Sequence, residues 1–415
     1  MRAVFALVGS RGDVQPGLVA AQALTRRGHD VRVGVAPNLV DAAAGLGLPV
    51  TPLGVDSRAL LASDLVRREM RSADPRRRLR ALRSVAVHGW SELRDGLLPL
   101  AADADLVVTG LLGQEVGAAV AERLACGFAA LHYAPVRAND VVRLLPGPGG
   151  PRVTQASWRL GERVRWGLTR AGENEQRAAL GLPPAVVDLP QRMRERGALE
   201  IQAYDPLLVD PLPERWGARR PFVGYLRPAG ASGTEGTDLG DPDPELDAAL
   251  ERGAVHVGFG SMPVPDPAGL VALLDRVAAE LDTTIVWGAG WSELPAATGE
   301  RVLVRRELDH AAVLPRCRAS VHHGGAGTVG AALQAGVGQV VCWWSADQPM
   351  WARRIESAGI GCGMPFARLD AARLTRALRI ASGGQVADRA RGLARRSISP
   401  RDAARGAAEA LERAC

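Results

Sequence analysis

Two hydrophobic periods alternate along this chain. Val4 to Val8 is a continuous apolar run with β-branched residues, which predicts a buried strand. From Pro16 to Arg27 the apolar positions Leu18, Val19, Ala23 and Leu24 fall at helical spacing, and Gly28 ends the helix. Val31, Val33 and Val35 then alternate as a strand does. Strand, helix and strand in that order make a βαβ unit, which implies a parallel sheet. The pattern recurs with strands from Asp105 to Thr109 and from Phe128 to Tyr133 on either side of a helix from Glu115 to Leu124. Pro146 to Pro151 is rich in Pro and Gly and predicts a loop.

A polar, turn-rich stretch at about residues 224–245 reads as an interdomain linker. A second series follows it, with strands from Ala254 to Phe259, Thr284 to Trp287, Ala319 to His322 and Val340 to Trp343. Helices are expected from Pro267 to Leu281, Thr328 to Ala335 and Pro349 to Ala358, and the Arg- and Ala-rich remainder reads as helical without further strands. The expected fold class is α/β, with two Rossmann-like doubly wound domains facing an interdomain cleft as the natural ligand site. The expected boundaries are 1–223 for the first domain and 246–390 for the second, with a C-terminal helical segment, 391–415, packing back on the first.

Composition narrows this picture. A length of 415 residues fits two domains, and 47% hydrophobic with 4% aromatic content means cores built mostly of Ala, Val and Leu. Cys126, Cys317, Cys342, Cys362 and Cys415 are odd in number and lack C-x-x-C spacing, which argues against a disulfide framework or structural zinc and suits a cytoplasmic location. The first residues read as a strand and not as a signal peptide, and no apolar run is long enough to span a membrane. The formal charge is +6, and the basic residues are all Arg. Arg67, Arg68, Arg71, Arg76, Arg77, Arg78, Arg80 and Arg83 are opposed only by Glu69 and Asp74, a stretch that reads either as a solvated helix face or as a peripheral contact with an anionic membrane or acceptor. No aromatic platform or binding motif accompanies the charge, so nucleic acid is not an expected partner.

The candidate chemistry lies in Val321-His-His-Gly-Gly-Ala-Gly-Thr-Val329. A strand ends there, small residues follow and a helix begins, so main-chain N–H groups and the helix dipole can meet an anion closely. Such a turn suits a diphosphate, and two imidazoles beside it add donors.

HHGGAGT, followed downstream by ADQPMWARRI, resembles the donor-binding region of the GT-B glycosyltransferases of family 1. The similarity is to actinobacterial glycopeptide and glycopeptidolipid glycosyltransferases and to sterol glucosyltransferases. It extends over nearly the whole chain through GSRGDVQP, GALEIQAYDP, RPFVG and FGSM. The resemblance implies a nucleotide-sugar donor, UDP- or TDP-linked, and a hydrophobic or amphiphilic acceptor. It places His322, Gly324, Gly325, Ala326, Gly327, Thr328 and Ser261 on the donor diphosphate, and Asp347 and Gln348 on the sugar hydroxyls. His323 reads either as a further donor or as a structural histidine, and Asp347 alternatively as a helix cap. Trp291 and Leu308 are expected on the base side of the nucleotide.

Transfer to a free hydroxyl needs a general base. Asp13, in the loop after the first strand, is the candidate, with helix capping as its other reading. Thr109 and Gly110 stand where plant-type relatives carry the Asp of a His–Asp dyad, so that dyad is excluded. Arg11, His132 and Tyr133 are expected on the acceptor side. The D-x-D pairs Asp103/Asp105 and Asp241/Asp243 read as surface acids, and neither a metal nor another cofactor is expected. The reading is an inverting glycosyltransferase; a nucleotide-sugar epimerase or a non-catalytic nucleotide-sugar-binding protein on the same fold is the alternative.

Overall fold

The computed structural model describes residues 1–63, 74–144, 147, 149–228, 243–294 and 299–414. Most of the expected linker, the arginines 67, 68 and 71, Asp241, Pro146 and Cys415 lie outside the described residues.

The described chain carries two parallel six-stranded sheets. The first has the order β3-β2-β1-β4-β5-β6, with β1 Arg2–Leu7, β2 Asp30–Val35, β3 Val50–Pro52, β4 Leu106–Thr109, β5 Gly127–His132 and β6 Leu199–Gln202. The second has the order β12-β11-β10-β7-β8-β9, with β7 Val255–Gly258, β8 Ile285–Gly288, β9 Val302–Arg305, β10 Ala319–His322, β11 Gly338–Trp343 and β12 Gly361–Pro365. The fold is a two-domain α/β architecture. Central strands are buried on both faces, as parallel sheets between helix layers must be: Phe5, Leu7, Val107, Val257 and Val321 are all fully buried.

The helices that matter for function are α1 (Arg11–Arg26), α2 (Pro75–Val87), α3 (Gln114–Leu124), α4 (Pro151–Ala179), α5 (Ala326–Ala335), α6 (Gln348–Ser357) and α7 (Pro400–Glu412). Helix α1 starts at Arg11 and not at Pro16, because Ser10 and Asp13 form a capping box that fixes the start earlier. Strand β12 corrects the expectation of a strand-free C-terminal region: GCGMP has no β-branched residue, and every position in it is only half-buried.

The chain divides into two compact units. One holds Met1–Tyr204, Asp210–Arg227 and Arg401–Cys415; the other holds Asp205–Val209 and Pro228–Pro400. The chain thus re-enters the first unit at Arg401 and not at 391, and Asp205–Val209 is a short excursion that the sequence did not announce. Within the first unit, α7 buries Ala403, Ala407, Ala408 and Leu411, and its Glu412 accepts from Arg27 Nε at 2.7 Å and pairs with His29 Nε2 at 2.8 Å.

Candidate active site

In the first sheet the strand order reverses between β1 and β4, so the loops leaving those strands diverge and open a crevice at the carboxyl edge. Asp13 stands there, at the third position of α1. Its Oδ2 accepts from the Ser10 N–H and from the Ser10 hydroxyl, each at 2.8 Å. Among the described residues no group donates to its Oδ1. Burial pushes the carboxyl above its ordinary value, and the Ser10 contacts pull the other way. Asp13 is therefore both a capping group and a carboxylate with one oxygen open.

The residues expected beside it part company. Arg11, the first residue of α1, is exposed. Tyr133 is buried, and its hydroxyl donates to the main-chain carbonyl of Asp13 at 2.6 Å, so it bolts the Asp13 loop in place and spends its proton there. Gly110 makes that contact possible, since a Cβ there would fall 2.8 Å from the Tyr133 oxygen. His132 corrects the expectation more sharply. Its ring is fully buried, with Nδ1 at 3.3 Å from Gln202 Nε2, beside Glu200, which pairs with Arg137 and Arg220. Burial and the nearby guanidinium groups push it down to about 3, so it is a neutral interior histidine with no face toward a ligand.

In the second sheet the reversal falls between the paired strands β7 and β10, and the turn after β7 lies against the start of the turn after β10, where a Cβ on Gly260 would fall 3.2 Å from the His323 ring. The two adjacent histidines are placed differently here, and it is His322, the one expected on the diphosphate, that points inward. His322 is fully buried and spent inside the protein: its Nδ1 accepts from the Gly324 N–H at 3.1 Å, which makes Nε2 the protonated nitrogen that donates to Gln339 Oε1 at 3.0 Å. Burial pushes it down to about 3. It has no donor left for a phosphate, and the Gly324 amide is used up with it.

His323 sits in the turn itself. Its Nδ1 is buried without a well-formed hydrogen bond; burial lowers the ring to about 4 against the opposing pull of the Gly258 main chain, so it is neutral. Its Nε2 edge lies against Gly325, where a Cβ would fall 2.4 Å away, and its Cε1 lies near Gly260 of the turn that carries Ser261. Gly325 caps α5 without a side-chain cap, so the amides that open the helix at Ala326, Gly327 and Thr328 are not closed off by a side chain. The usable signal in the sequence was Gln339, a polar residue within the apolar run of β11 that needs a buried partner; His322, on the neighbouring strand, supplies it.

The remaining candidates converge on the same edge. The Trp291 N–H donates to the Gly260 carbonyl at 3.0 Å, tying the loop after β8 to the loop after β7. Leu308 is half-buried against Gly288, where β8 ends. Asp347 occupies the cap position of α6 without capping it; its Oδ2 accepts instead from Trp351 Nε1 at 3.0 Å. Gln348 is buried, and its Oε1 accepts from the Trp344 and Ser345 amides at 2.8 Å and 3.2 Å. The Gln348 carbonyl stands 3.3 Å from where a Gly324 Cβ would be, so the loops after β10 and β11 touch. Asp103 and Asp105 pair with Arg32 and Arg2 at the surface, and Asp243 pairs with Arg305.

Residues 3–90 match the glycosyltransferase family 28 N-terminal domain, and residues 272–401 match the C-terminal domain of the erythromycin biosynthesis protein CIII-like family. An uncharacterized glycosyltransferase of Mycobacterium tuberculosis is 38% identical, with 99% of this chain and 98% of the relative covered. The vancomycin aglycone glucosyltransferase of Amycolatopsis orientalis is 28% identical, with 87% of this chain and 85% of that protein covered. The crystal structure of the glycosyltransferase VinC in complex with dTDP superposes with a TM-score of 0.67 at 19% identity, covering 100% of both chains. Whole-length similarity to a glycosyltransferase, a family match at each end and the shared two-sheet architecture make this chain a member of the GT-B glycosyltransferases.

Proposed function

We propose that the chain transfers a sugar, with inversion, from a nucleoside diphosphate donor to a hydroxyl of a hydrophobic or amphiphilic acceptor. The observation that carries the donor side is the turn after β10: a neutral His323, its buried Nδ1 without a well-formed hydrogen bond, beside a helix start that no side chain caps. The diphosphate lies on the amides of Gly325 to Thr328, with the Ser261 hydroxyl and the His323 ring as side-chain partners. Helix dipole and amides stabilise charge on the departing diphosphate, so no metal is required of the step. Asp347 and the amide nitrogen of Gln348 take the sugar hydroxyls, and Trp291 and Leu308 flank the base. Neighbours crystallised with thymidine diphosphate support TDP as the nucleotide to try first, with UDP beside it.

Asp13 is the base. Its Oδ1 takes the proton from the acceptor hydroxyl as that oxygen attacks the anomeric carbon, and the bond from that carbon to the diphosphate breaks with the electron pair leaving on the phosphate oxygen. A carboxyl raised above its ordinary value stands closer to the working pH of a general base than a solvent-exposed one.

Calorimetric titration with TDP and UDP, with EDTA present, tests the donor side on the wild type and two variants. His323→Ala is expected to lose about tenfold or more in affinity while keeping its thermal midpoint, since a hydrogen bond to a charged group is at stake. His322→Ala is expected to destabilise the fold by about 2–3 kcal/mol, because it strands Gln339 and the Gly324 amide. Unchanged affinity in His323→Ala would remove this residue from the donor site.

A further inference from the structure

Helix α4 is amphipathic the wrong way round. Its inward face buries Thr154, Trp158, Thr169, Glu173, Gln176 and Arg177. These residues turn to partners inside the protein: the Trp158 indole donates to the Val142 carbonyl at 2.6 Å, Arg177 pairs with Glu122, and Glu173 pairs with Arg192 through Oε1, its Oε2 being buried without a partner. The aliphatic residues point outward. Val153, Leu160 and Val164 are 59%, 61% and 56% exposed, and their spacing puts them on one line along the helix.

A second line runs beside the first. Arg152, Arg159, Arg163 and Arg170 follow the same spacing about a quarter-turn away. Arg170 lies over the Trp166 ring, while Arg152, Arg159 and Arg163 have no carboxylate partner among the described residues. The acid in this stretch, Glu162, faces the Ala138 amide at 2.9 Å. Helix α2 packs against α4, where a Cβ on Gly172 would touch Val87. It adds exposed Arg76, Arg77, Arg78, Arg80 and Arg83, together with Leu79 at 44% exposure, and contains no acidic residue.

We propose that this outward face of α4, flanked by α2, docks the first unit on an anionic phospholipid bilayer. Val153, Leu160 and Val164 enter the headgroup boundary, and the arginines meet lipid phosphates. An exposed aliphatic line bordered by unpaired cations is the signature of a helix lying in a membrane interface. Charge alone would suit a nucleic acid, but the aliphatic line would then be left facing water. From Arg152 to Arg170 the basic line runs about 27 Å at the helical rise, which suits a planar surface better than a small anion. The proposal is independent of the transfer chemistry, which uses none of these residues.

Flotation of the purified full chain with phosphatidylcholine vesicles, with and without phosphatidylglycerol, tests it. Binding is expected only with the anionic lipid and weakens with salt. Replacing Arg152, Arg159 and Arg163 together by Gln is expected to weaken it roughly a hundredfold, the effect of three basic residues at an anionic leaflet. Replacing Val153, Leu160 and Val164 together by Ser is expected to weaken it about tenfold or more. All six positions are surface sites, so thermal midpoint and TDP affinity should hold and serve as the folding control. Failure of the folded wild type to float with anionic vesicles overturns the proposal, as does equal binding by the arginine variant. A dimer in light scattering that Leu160→Ser dissolves would assign the face to a second copy of this chain instead.

Discussion

At Asp13 one carboxylate oxygen closes the box with Ser10 while the other is open, so substitution can separate the two duties. Asp13→Asn keeps an oxygen for the Ser10 amide and loses the proposed base. It is expected to lower kcat by about 10²–10⁴-fold, the usual worth of a positioned base, with little change in thermal midpoint. Asp13→Ala removes both and should cost about 1 kcal/mol of stability as well. Initial rates with any acceptor the wild type glycosylates, set beside thermal melts, separate the cases. An Asp13→Asn enzyme of undiminished kcat would leave the carboxylate only its capping role. The adjacent histidines teach the same lesson: residue type and position in the motif are alike, and what divides them is which ring finds Gln339.

Among the elements, the strand–turn junctions at the sheet reversals do the positioning. Gly110 at the end of β4 leaves room for the Tyr133 hydroxyl to reach the Asp13 carbonyl. Gly110→Ala is expected to cost about 1 kcal/mol by breaking that bond. Tyr133→Phe should cost a similar amount, and the double variant should cost little more than either, because both remove one interaction. Additive losses in urea melts would mean that the two positions act separately. These junctions were legible in the sequence because the strands feeding them are central: β1, β2, β4, β5, β7, β8, β10 and β11 each show a clear apolar or alternating run. The unread strands were β3, β6, β9 and β12, and each lies at an edge of its sheet. An edge strand packs on fewer neighbours, so sequences such as VTP, LEIQ and GCGMP need no run of large apolar residues, while the run in VLVR is only three residues long. The glycine turn after β10 was readable from spacing, whereas the interior placement of His132 and His322 depends on partners distant in sequence.

Over the whole molecule, three histidines, His132, His256 and His322, are fully buried, and His323 is half-buried with its Nδ1 inside; all four are neutral, held below the ordinary value of 6.5 chiefly by burial. The unfolded chain takes up protons near that value while the folded chain refuses them, so stability is full above it and drains as pH falls. At pH 5.5 each such group removes about 1.4 kcal/mol. Glu173, pushed up to about 7 by burial, works in the opposite sense: it stabilises below its ordinary 4.5 and loses that contribution as pH rises to 7. Asp13 and Asp205, also raised by burial, act in the sense of Glu173 but from the lower ordinary value of 3.8, so the four histidines dominate this range and the thermal midpoint should drop clearly from pH 7 to pH 5; scanning fluorimetry across that range would show a flat profile if the rings were solvated.

The division into units has a consequence for anyone wishing to exchange the second unit for a foreign one. The covalent path passes between the units at four places, so a chimaera with a single splice point would cut through one of them. Two junctions, at 227/228 and at 400/401, would exchange the bulk of the second unit and keep α7 clasped to Arg27 and His29. Asp205–Val209 would stay behind as a native tongue in a foreign host. There, Asp205 would still seek the amide that Ile398 now supplies, and the Leu208 carbonyl would still seek Arg354. Compatibility of those two contacts, more than similarity of the loops at the sheet edges, is the criterion by which parents for such a hybrid should be chosen.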